Sequence, residues 1–290
     1  MRKSPGCKAM ISPNGRMTPP EASAGSAEVC LPDPGGFDSH THMDIMELPV
    51  DGVLAAARAA GINRVVNVGC DLPSSRWSVA TAEEYPDVYA AVAIHPNETS
   101  AVDSRRGEVL AELAALAQSP RVVAIGETGL DYYRDWADPD VQREWFRAHI
   151  ELARQTGKTL MIHDREAHAD VLAILAETGP WPPYSVIFHC FSGDAAVAAQ
   201  CAEAGYVMSF AGNVTFKNAA DLREAALVAP PELMLAETDA PYLTPIPHRG
   251  KPNSPAMTAY TIRFLAELKN LEVSDFCAHL QATGARVFAW

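Results

Sequence analysis

The chain has 290 residues, of which 48% are hydrophobic and 20% are charged, a composition typical of a globular protein with a large core. Its formal net charge of −13 at pH 7 argues against a protein that coats nucleic acid or an anionic membrane surface. No apolar run approaches the roughly 18 residues of a membrane-spanning helix, so we expect no membrane association. The six cysteines form no Cys-x-x-Cys pair, and we expect reduced thiols and a cytoplasmic location.

The first 35 residues are rich in Pro, Gly, Ser and Ala and show no hydrophobic periodicity. Such a segment has too little apolar surface to order itself, so residues 1–35 are predicted to be a disordered leader. Residues 36–290 are predicted to form one domain, because α/β barrels of this length fold around a single core.

From residue 36 onward, short apolar runs alternate with longer amphipathic segments. The continuous Val/Ile/Leu character of several runs is typical of parallel strands that are covered on both faces. Eight such strands with helices between them predict a (β/α)8 TIM barrel, an α/β fold. The predicted strands are Gly36–His42, Arg64–Val68, Val88–Ile94, Val122–Gly126, Leu160–His163, Ser185–His189, Val207–Phe210 and Leu233–Ala236. The predicted helices are Val50–Ala60, Arg106–Ala117, Gln142–Gln155, Ala167–Glu177, Asp194–Ala204 and Asn218–Leu227.

Side chains of the metal-ligand type stand at the ends of five predicted strands. In a TIM barrel these carboxyl ends line the active site. Within the first strand, side chains two residues apart share a face, so its two histidines project together. Imidazole and carboxylate donors in one place predict a site for a divalent metal. The candidate ligands are His40, His42, Glu127, His163, His189 and Asp239.

Six ligands are more than one catalytic metal needs, because such a metal keeps one position open for water. Two divalent ions use them naturally, with Glu127 bridging the pair. Donors of this kind accept Mg, Mn, Zn or Co, and a pair of such ions supports hydrolysis. The first ion is expected to bind His40, His42 and Asp239, and the second His163 and His189.

These motifs together resemble the TatD family of metal-dependent hydrolases, within the amidohydrolase-like metal-barrel superfamily. The resemblance implies a deoxyribonuclease, commonly a 3′-to-5′ exonuclease on DNA, that needs divalent cations. It carries the metal roles over to the six candidate ligands, and it makes His95 a contact for phosphate or substrate. Asn97 departs from the pattern, because the family often has a histidine there. The matching stretches are FDSHTHMD, AIHPNE, IGETGLDYYRD, MIHDREAHADVLAIL, FHCFSGD, MSFAGNVTFKNA and AETDAPYLTP.

Aromatic and basic residues in the loops after the strands are candidates for substrate contact. Tyr132 and Phe191 would either stack on bases or pack in the rim. Arg134 and Lys251 follow the fourth and eighth strands, where they would attract DNA locally despite the acidic chain.

Three residues beside the predicted ligands have their own interpretations. Asp239 could take the proton from the attacking water in addition to binding metal, so both Glu127 and Asp239 are catalytic candidates. Glu237 is expected to orient a ligand histidine. Cys190 is expected to point to the other side of its strand as a structural residue.

We interpret the sequence as that of a divalent-metal-dependent deoxyribonuclease that acts on single-stranded or frayed DNA ends. We expect it to work as a monomer with no obligate protein partner. One alternative is a metal-dependent amide or ester hydrolase, such as a deacylase of misacylated tRNA. Another is a metal-binding scaffold without turnover, which the intact ligand set disfavours. Between the first two, only the resemblance and the basic residues at the mouth discriminate.

Overall fold

Eight parallel strands pair in chain order in the computed structural model, which describes residues 29–183 and 185–290. The first strand meets the last through a parallel bridge between Thr41 and Ala240, so the sheet curls into a barrel. The TIM-barrel prediction is therefore confirmed. The strands are β1 (Gly36–Thr41), β2 (Ile62–Val68), β3 (Val88–Val92), β4 (Val122–Asp131), β5 (Thr159–Arg165), β6 (Val186–Phe188), β7 (Val207–Phe210) and β8 (Met234–Ala236).

The helices cover the outside of this barrel and carry one apolar face toward it. The longest helix has defined ends. The side chain of Asp138 caps its first turn by accepting the amide of Asp140, and Gly157 ends it in the left-handed region. The helices are α1 (Val50–Ala59), α2 (Leu72–Glu84), α3 (Thr99–Val102), α4 (Arg106–Leu116), α5 (Pro139–Thr156), α6 (His168–Glu177), α7 (Ala195–Glu203), α8 (Ala220–Val228), α9 (Thr258–Leu268) and α10 (Val273–Phe288).

The sequence patterns missed two features of this architecture. Helices α2, α3, α9 and α10 were not predicted, and β4 and β5 extend beyond their predicted ends at Gly126 and His163. The extension pairs Thr128 to Asp131 with Ile162 to Arg165. Polar residues interrupt the apolar pattern there because these strand ends carry the functional site.

The end of the predicted leader belongs to the barrel. Leu31 is only 5% exposed and packs in the core, and its amide donates to the carbonyl of Ala60 at 3.0 Å. It lies next to Gly36 and Gly61, where β1 and β2 begin, at the end of the barrel opposite the predicted ligands. Residues 1–28 of the predicted leader lie outside the described residues. In the part of the chain that the structure describes, no helix is long and apolar enough to cross a membrane.

Candidate metal centre

The six predicted ligands come together at the carboxyl ends of five strands. His40 lies in β1 and His42 directly follows it, Glu127 lies in β4, and His163 lies in β5. The other two, His189 and Asp239, follow β6 and β8. All six are buried or nearly so, in a region where polar groups need partners. The fold thus brings together every residue that the strand-end pattern selected.

One oxygen of Glu127 faces the histidines of β1. Its Oε1 lies 3.5 Å from His40 Nε2 and 3.4 Å from His42 Nε2, and these two nitrogens are 3.1 Å apart. Asp239 Oδ1 completes the group at 3.8 and 3.4 Å from the same nitrogens. Four donor atoms from three strand ends therefore converge on one small volume.

The other oxygen of Glu127 faces a second pair of imidazoles. Its Oε2 lies 2.7 Å from His189 Nε2 and 3.2 Å from His163 Nδ1. These two nitrogens are 3.3 Å apart. Each oxygen of Glu127 thus faces a different pair of histidines, and the two pairs adjoin, since the rings of His40 and His189 stack with their centres 3.8 Å apart.

Outward-facing acceptors hold three of the four histidines in the orientation that a metal ligand needs. A neutral imidazole carries one N–H, and the nitrogen that donates it leaves the other with a free lone pair. His42 Nδ1 faces the carbonyl of Val68 at 3.0 Å, and His189 Nδ1 faces Glu237 Oε1 at 3.3 Å. With these acceptors taking the proton, the Nε2 lone pairs of both rings point into the cluster. The contact between Glu237 and His189 agrees with the expectation that Glu237 orients a ligand histidine.

Asp131 supplies the acceptor for His163, and sequence reasoning missed it. Its Oδ2 lies 3.2 Å from His163 Nε2, while its Oδ1 accepts the amides of Tyr133 and Arg134 at 3.0 Å. Burial opposes its ionisation, but the hydrogen bond from His163 and the amide of Arg134 hold the pKa of Asp131 below its usual value. Its place four residues after Glu127, in the predicted site loop, was the available signal.

His95 is arranged in the opposite sense from the ligand histidines. Its Nδ1 accepts the amide of Asn97 at 3.0 Å, so the proton of the neutral ring lies on Nε2. That Nε2 points into the cluster, 3.4 Å from His163 Nδ1 and 3.8 Å from Glu127 Oε2. Burial lowers the pKa of His95 to about 3, which keeps the ring neutral. His95 therefore presents a hydrogen-bond donor to the site.

The ionisation of the cluster fits a cation-binding group. Burial alone would raise the pKa of Glu127, but the surrounding imidazoles, His189 first, hold it well below its usual range. Burial alone would lower the pKa of His189, but the Glu127 carboxylate outweighs the effect of burial and raises the pKa of His189 to about 10. The raised pKa of His189 holds for the site without metal, and a divalent cation that bound there would displace the extra proton. The His and carboxylate donors suit such a cation.

A cavity of about 780 Å³ opens onto the cluster. His95 and Arg134 line it, in agreement with their predicted position, and so do Arg165, Trp136 and Tyr242. Cys70 and Cys190 line it as well, although Cys190 was expected to point away. The Cys70 thiol donates to Glu127 Oε1 at 3.4 Å, a contact that no sequence pattern signalled.

Three predicted substrate contacts do not reach this cavity. Phe191 is 2% exposed and packs in the core against Phe210, with ring centres 5.6 Å apart. The Tyr132 hydroxyl donates to Asp170 Oδ2 at 2.6 Å, on the helical side of the strand end. Lys251 is exposed in the loop after β8 and lies outside the cavity lining.

An eight-stranded barrel with a histidine and carboxylate cluster at its strand ends defines the class of metal-dependent hydrolase barrels. A family profile described as "TatD related DNase" matches residues 37–289. The chain therefore belongs to the TatD family of metal-dependent hydrolases, as the sequence motifs predicted.

Relatives from other organisms agree with this assignment. "Uncharacterized metal-dependent hydrolase TatD" of Mycobacterium tuberculosis (strain ATCC 25618 / H37Rv) is 49% identical over 245 residues, which cover 80% of this chain and 90% of the relative. "Uncharacterized metal-dependent hydrolase YabD" of Bacillus subtilis (strain 168) is 39% identical over 254 residues, covering 87% and 98%.

Solved structures show the same barrel. The crystal structure of YJJV, a TatD homologue from Escherichia coli K12, has a TM-score of 0.81 and 25% identity and covers 88% of this chain and 98% of its own. The phosphotriesterase homology protein from E. coli has a TM-score of 0.62 and 15% identity, covering 88% and 98%, and it shares the fold alone.

Proposed function

We propose that this chain is a divalent-metal-dependent deoxyribonuclease that hydrolyses phosphodiester bonds from the 3′ end of single-stranded or frayed DNA. One observation carries the proposal: the two oxygens of Glu127 face separate histidine pairs beneath a cavity that Arg134 and Arg165 line. A binding group for cations and a wall with positive charge together suit an anionic substrate. The family assignment and its profile support the same reaction.

The donor groups suit two ions rather than one. His40, His42 and Asp239 would hold the first, His163 and His189 the second, and Glu127 would contribute one oxygen to each. Bound divalent ions of this kind activate water and neutralise charge on a phosphoryl oxygen. The nitrogen and oxygen donors accept Mg, Mn, Zn or Co, so we propose no single native metal.

Asp239 is suited to accept the proton of the attacking water. It lines the cavity. Of the three side chains around Oε1 of Glu127, Asp239 is more exposed than His40 and His42. Burial opposes ionisation, but the hydrogen bond from His42 and the charge of His40 lower the pKa of Asp239. It is therefore a carboxylate near neutral pH and can act as a general base.

His95 and the two arginines are suited to hold the phosphate. The inward N–H of His95 can donate to a phosphate oxygen, and the guanidinium groups can neutralise the charge that builds in the transition state. A cavity of about 780 Å³ has the scale of pockets that enclose small molecules, so it suits the end of a strand better than a continuous duplex.

The test is cleavage of a 5′-labelled single strand by purified protein that has been stripped with chelator and reloaded with Mg²⁺, Mn²⁺, Zn²⁺ or Co²⁺. We expect stepwise shortening of the labelled strand, loss of activity in EDTA and recovery with metal. Arg134→Ala should slow cleavage about tenfold or more, since it removes a charged contact to phosphate. Lys251→Ala is the matched control, because Lys251 lies outside the cavity lining and should matter less.

One result would replace the nuclease with another hydrolase. Metal-loaded protein that leaves DNA intact but hydrolyses an aminoacyl ester or an amide in an Asp239-dependent reaction would contradict the nuclease proposal. For a small ester or amide without phosphate groups, Arg134→Ala should then leave the rate nearly unchanged, since such a substrate gains little from the guanidinium.

A further inference from the structure

Exposed aromatic side chains surround the mouth of the metal cavity. Among the described residues, Trp136 is 62% exposed and Tyr242 is 56% exposed, and both line the cavity together with the exposed Ile45. The exposed Tyr133 contacts two arginines that line it. Large apolar side chains left in water beside a candidate active site mark a place where a ligand is bound.

Trp136 and Tyr242 stand on opposite sides of this mouth. Trp136 lies in the loop after β4, and Tyr242 lies in the loop after β8. Because the strands pair in chain order around the barrel, β4 and β8 are four strands apart in either direction. Exposed aromatic rings from two sides of the barrel therefore line the cavity above the metal cluster.

Arginine side chains stack with the aromatic rings on the β4 side. The guanidinium carbon of Arg134 lies 4.7 Å from the ring centre of Trp136 and 5.4 Å from that of Tyr133. Arg165 covers Tyr133 at 3.9 Å. Stacking of guanidinium groups on the aromatic rings orients both kinds of side chain and keeps positive charge next to apolar ring faces.

This combination matches one class of ligand. Proteins that bind single-stranded nucleic acid stack aromatic rings on the bases and use arginines to follow the backbone phosphates. A small amide or ester without phosphates or bases would use neither the arginines nor a pair of wide flat faces. Bases within a duplex are already stacked on each other and are not available to these rings.

We propose that Trp136 and Tyr242 stack on unpaired nucleobases next to the scissile phosphodiester, so that the site selects single-stranded nucleic acid by its bases as well as by its phosphates. This inference rests on the proposed nuclease function and names the part of the substrate that the rim binds. The two rings are binding and positioning residues, while the chemistry stays with the metal cluster.

The experiment compares two phosphorothioate strands of equal length, an oligodeoxythymidylate and its abasic counterpart, on Mg²⁺-loaded protein. Both strands carry the same charge, so any difference in affinity reports on the bases. Stacking on one base contributes on the order of 5- to 150-fold in affinity, and we expect the wild type to prefer the base-bearing strand by at least about fivefold. Quenching of tryptophan fluorescence gives a second readout, because Trp136 is largely exposed.

Variants separate stacking from other causes. Trp136→Ala should lose most of the preference for the base-bearing strand and leave affinity for the abasic strand within about twofold. Trp136→Phe should retain part of it, since a π-face remains. Tyr242→Ala should act in the same direction. Trp181→Ala is the matched control: Arg154 lies 4.5 Å from its ring centre, yet it is outside the cavity lining.

With natural strands, the same variants should raise KM for cleavage with little change in kcat, as expected for lost binding. Equal wild-type affinity for the two strands would overturn the stacking proposal, and so would an unchanged preference in both Trp136→Ala and Tyr242→Ala. If either result is found with protein that still cleaves DNA, the stacking proposal is wrong while the nuclease proposal is retained. Protein that neither binds nor cleaves any strand with any metal would overturn both.

Discussion

Replacing Asp131 with Asn tests how the outer hydrogen bonds of the cluster prepare it for metal. In the native site the carboxylate accepts the Nε2 proton of His163, and its other oxygen holds the amides of Tyr133 and Arg134. An amide that keeps these two backbone contacts must present its NH₂ group to His163. The ring then accepts at Nε2 and carries its proton on Nδ1, the nitrogen that faces Glu127 at 3.2 Å.

The expected size of the effect follows from this change of tautomer. A protonated Nδ1 cannot bind metal, so the ion that uses His163 should be weakened. Loss of such an outer contact commonly costs 10- to 100-fold in metal affinity or activity, which corresponds to about 1.4–2.7 kcal/mol. Among the described residues, Asp131 bonds to no other predicted ligand, and its Oδ2 also accepts the side-chain amide of Asn97 at 3.0 Å. Binding at His40, His42 and Asp239 should therefore stay close to that of the wild type.

Calorimetric titration of metal into the stripped protein, with metal analysis after gel filtration, measures this prediction. We expect one weakened site and one nearly unchanged site. Asp170→Asn is the control, because this change also removes a nearby charge, while the Asp170 side chain bonds to Tyr132 and Arg143 and to no predicted ligand among residues 29–183 and 185–290. Two sites of wild-type affinity together with a wild-type cleavage rate in Asp131→Asn would refute this account of the outer contacts.

Three further changes test other parts of the molecule. Glu127→Gln should weaken both ions and lower activity by orders of magnitude, and metal analysis giving two tightly held ions in this variant would contradict the bridging role. Leu31→Ala should lower the free energy of unfolding by about 2–3 kcal/mol, because the Leu31 side chain is buried in the core. Urea denaturation measures this change, and unchanged stability would show that the packing of Leu31 adds little. Burial lowers the pKa of His149 to about 4, below its ordinary value near 6.5. Because the unfolded chain binds this proton first as pH falls, wild-type stability should drop between pH 6.5 and 4 by about 3 kcal/mol relative to His149→Gln, and parallel pH profiles would contradict it.

The sequence was sufficient to predict the barrel and the candidate metal ligands, because both depend on local patterns. Strand-end residues such as Glu127 and His163 follow apolar runs, and a parallel barrel gathers such ends at one face whatever the helices do. Helix α2 was missed because its buried face carries Ser75, Ser78 and Thr81, small polar residues that give no apolar period.

The outer contacts and the substrate surface were less predictable, since they depend on side-chain direction after the strands end. Phe191 and Trp136 both follow strand ends, yet the first packs inward and the second projects over the cavity. The tautomer of His95 depends on one backbone amide, that of Asn97, whose position the sequence does not encode locally. Such distinctions arise from tertiary packing rather than from spacing.

The acidic character of the chain is consistent with a nuclease that selects strand ends. At physiological ionic strength charges are screened beyond about 8 Å, so acidic groups elsewhere on the chain, which give the net charge of −13, have little effect within the mouth. There Arg134 and Arg165 line the cavity, and cations bound by the cluster would add positive charge beside a substrate phosphate. An exposed aromatic rim adds attraction that does not depend on charge. For the proposed nuclease, affinity gained in this way would come from contacts made inside the cavity, which favours an unpaired end that can enter it over a continuous duplex.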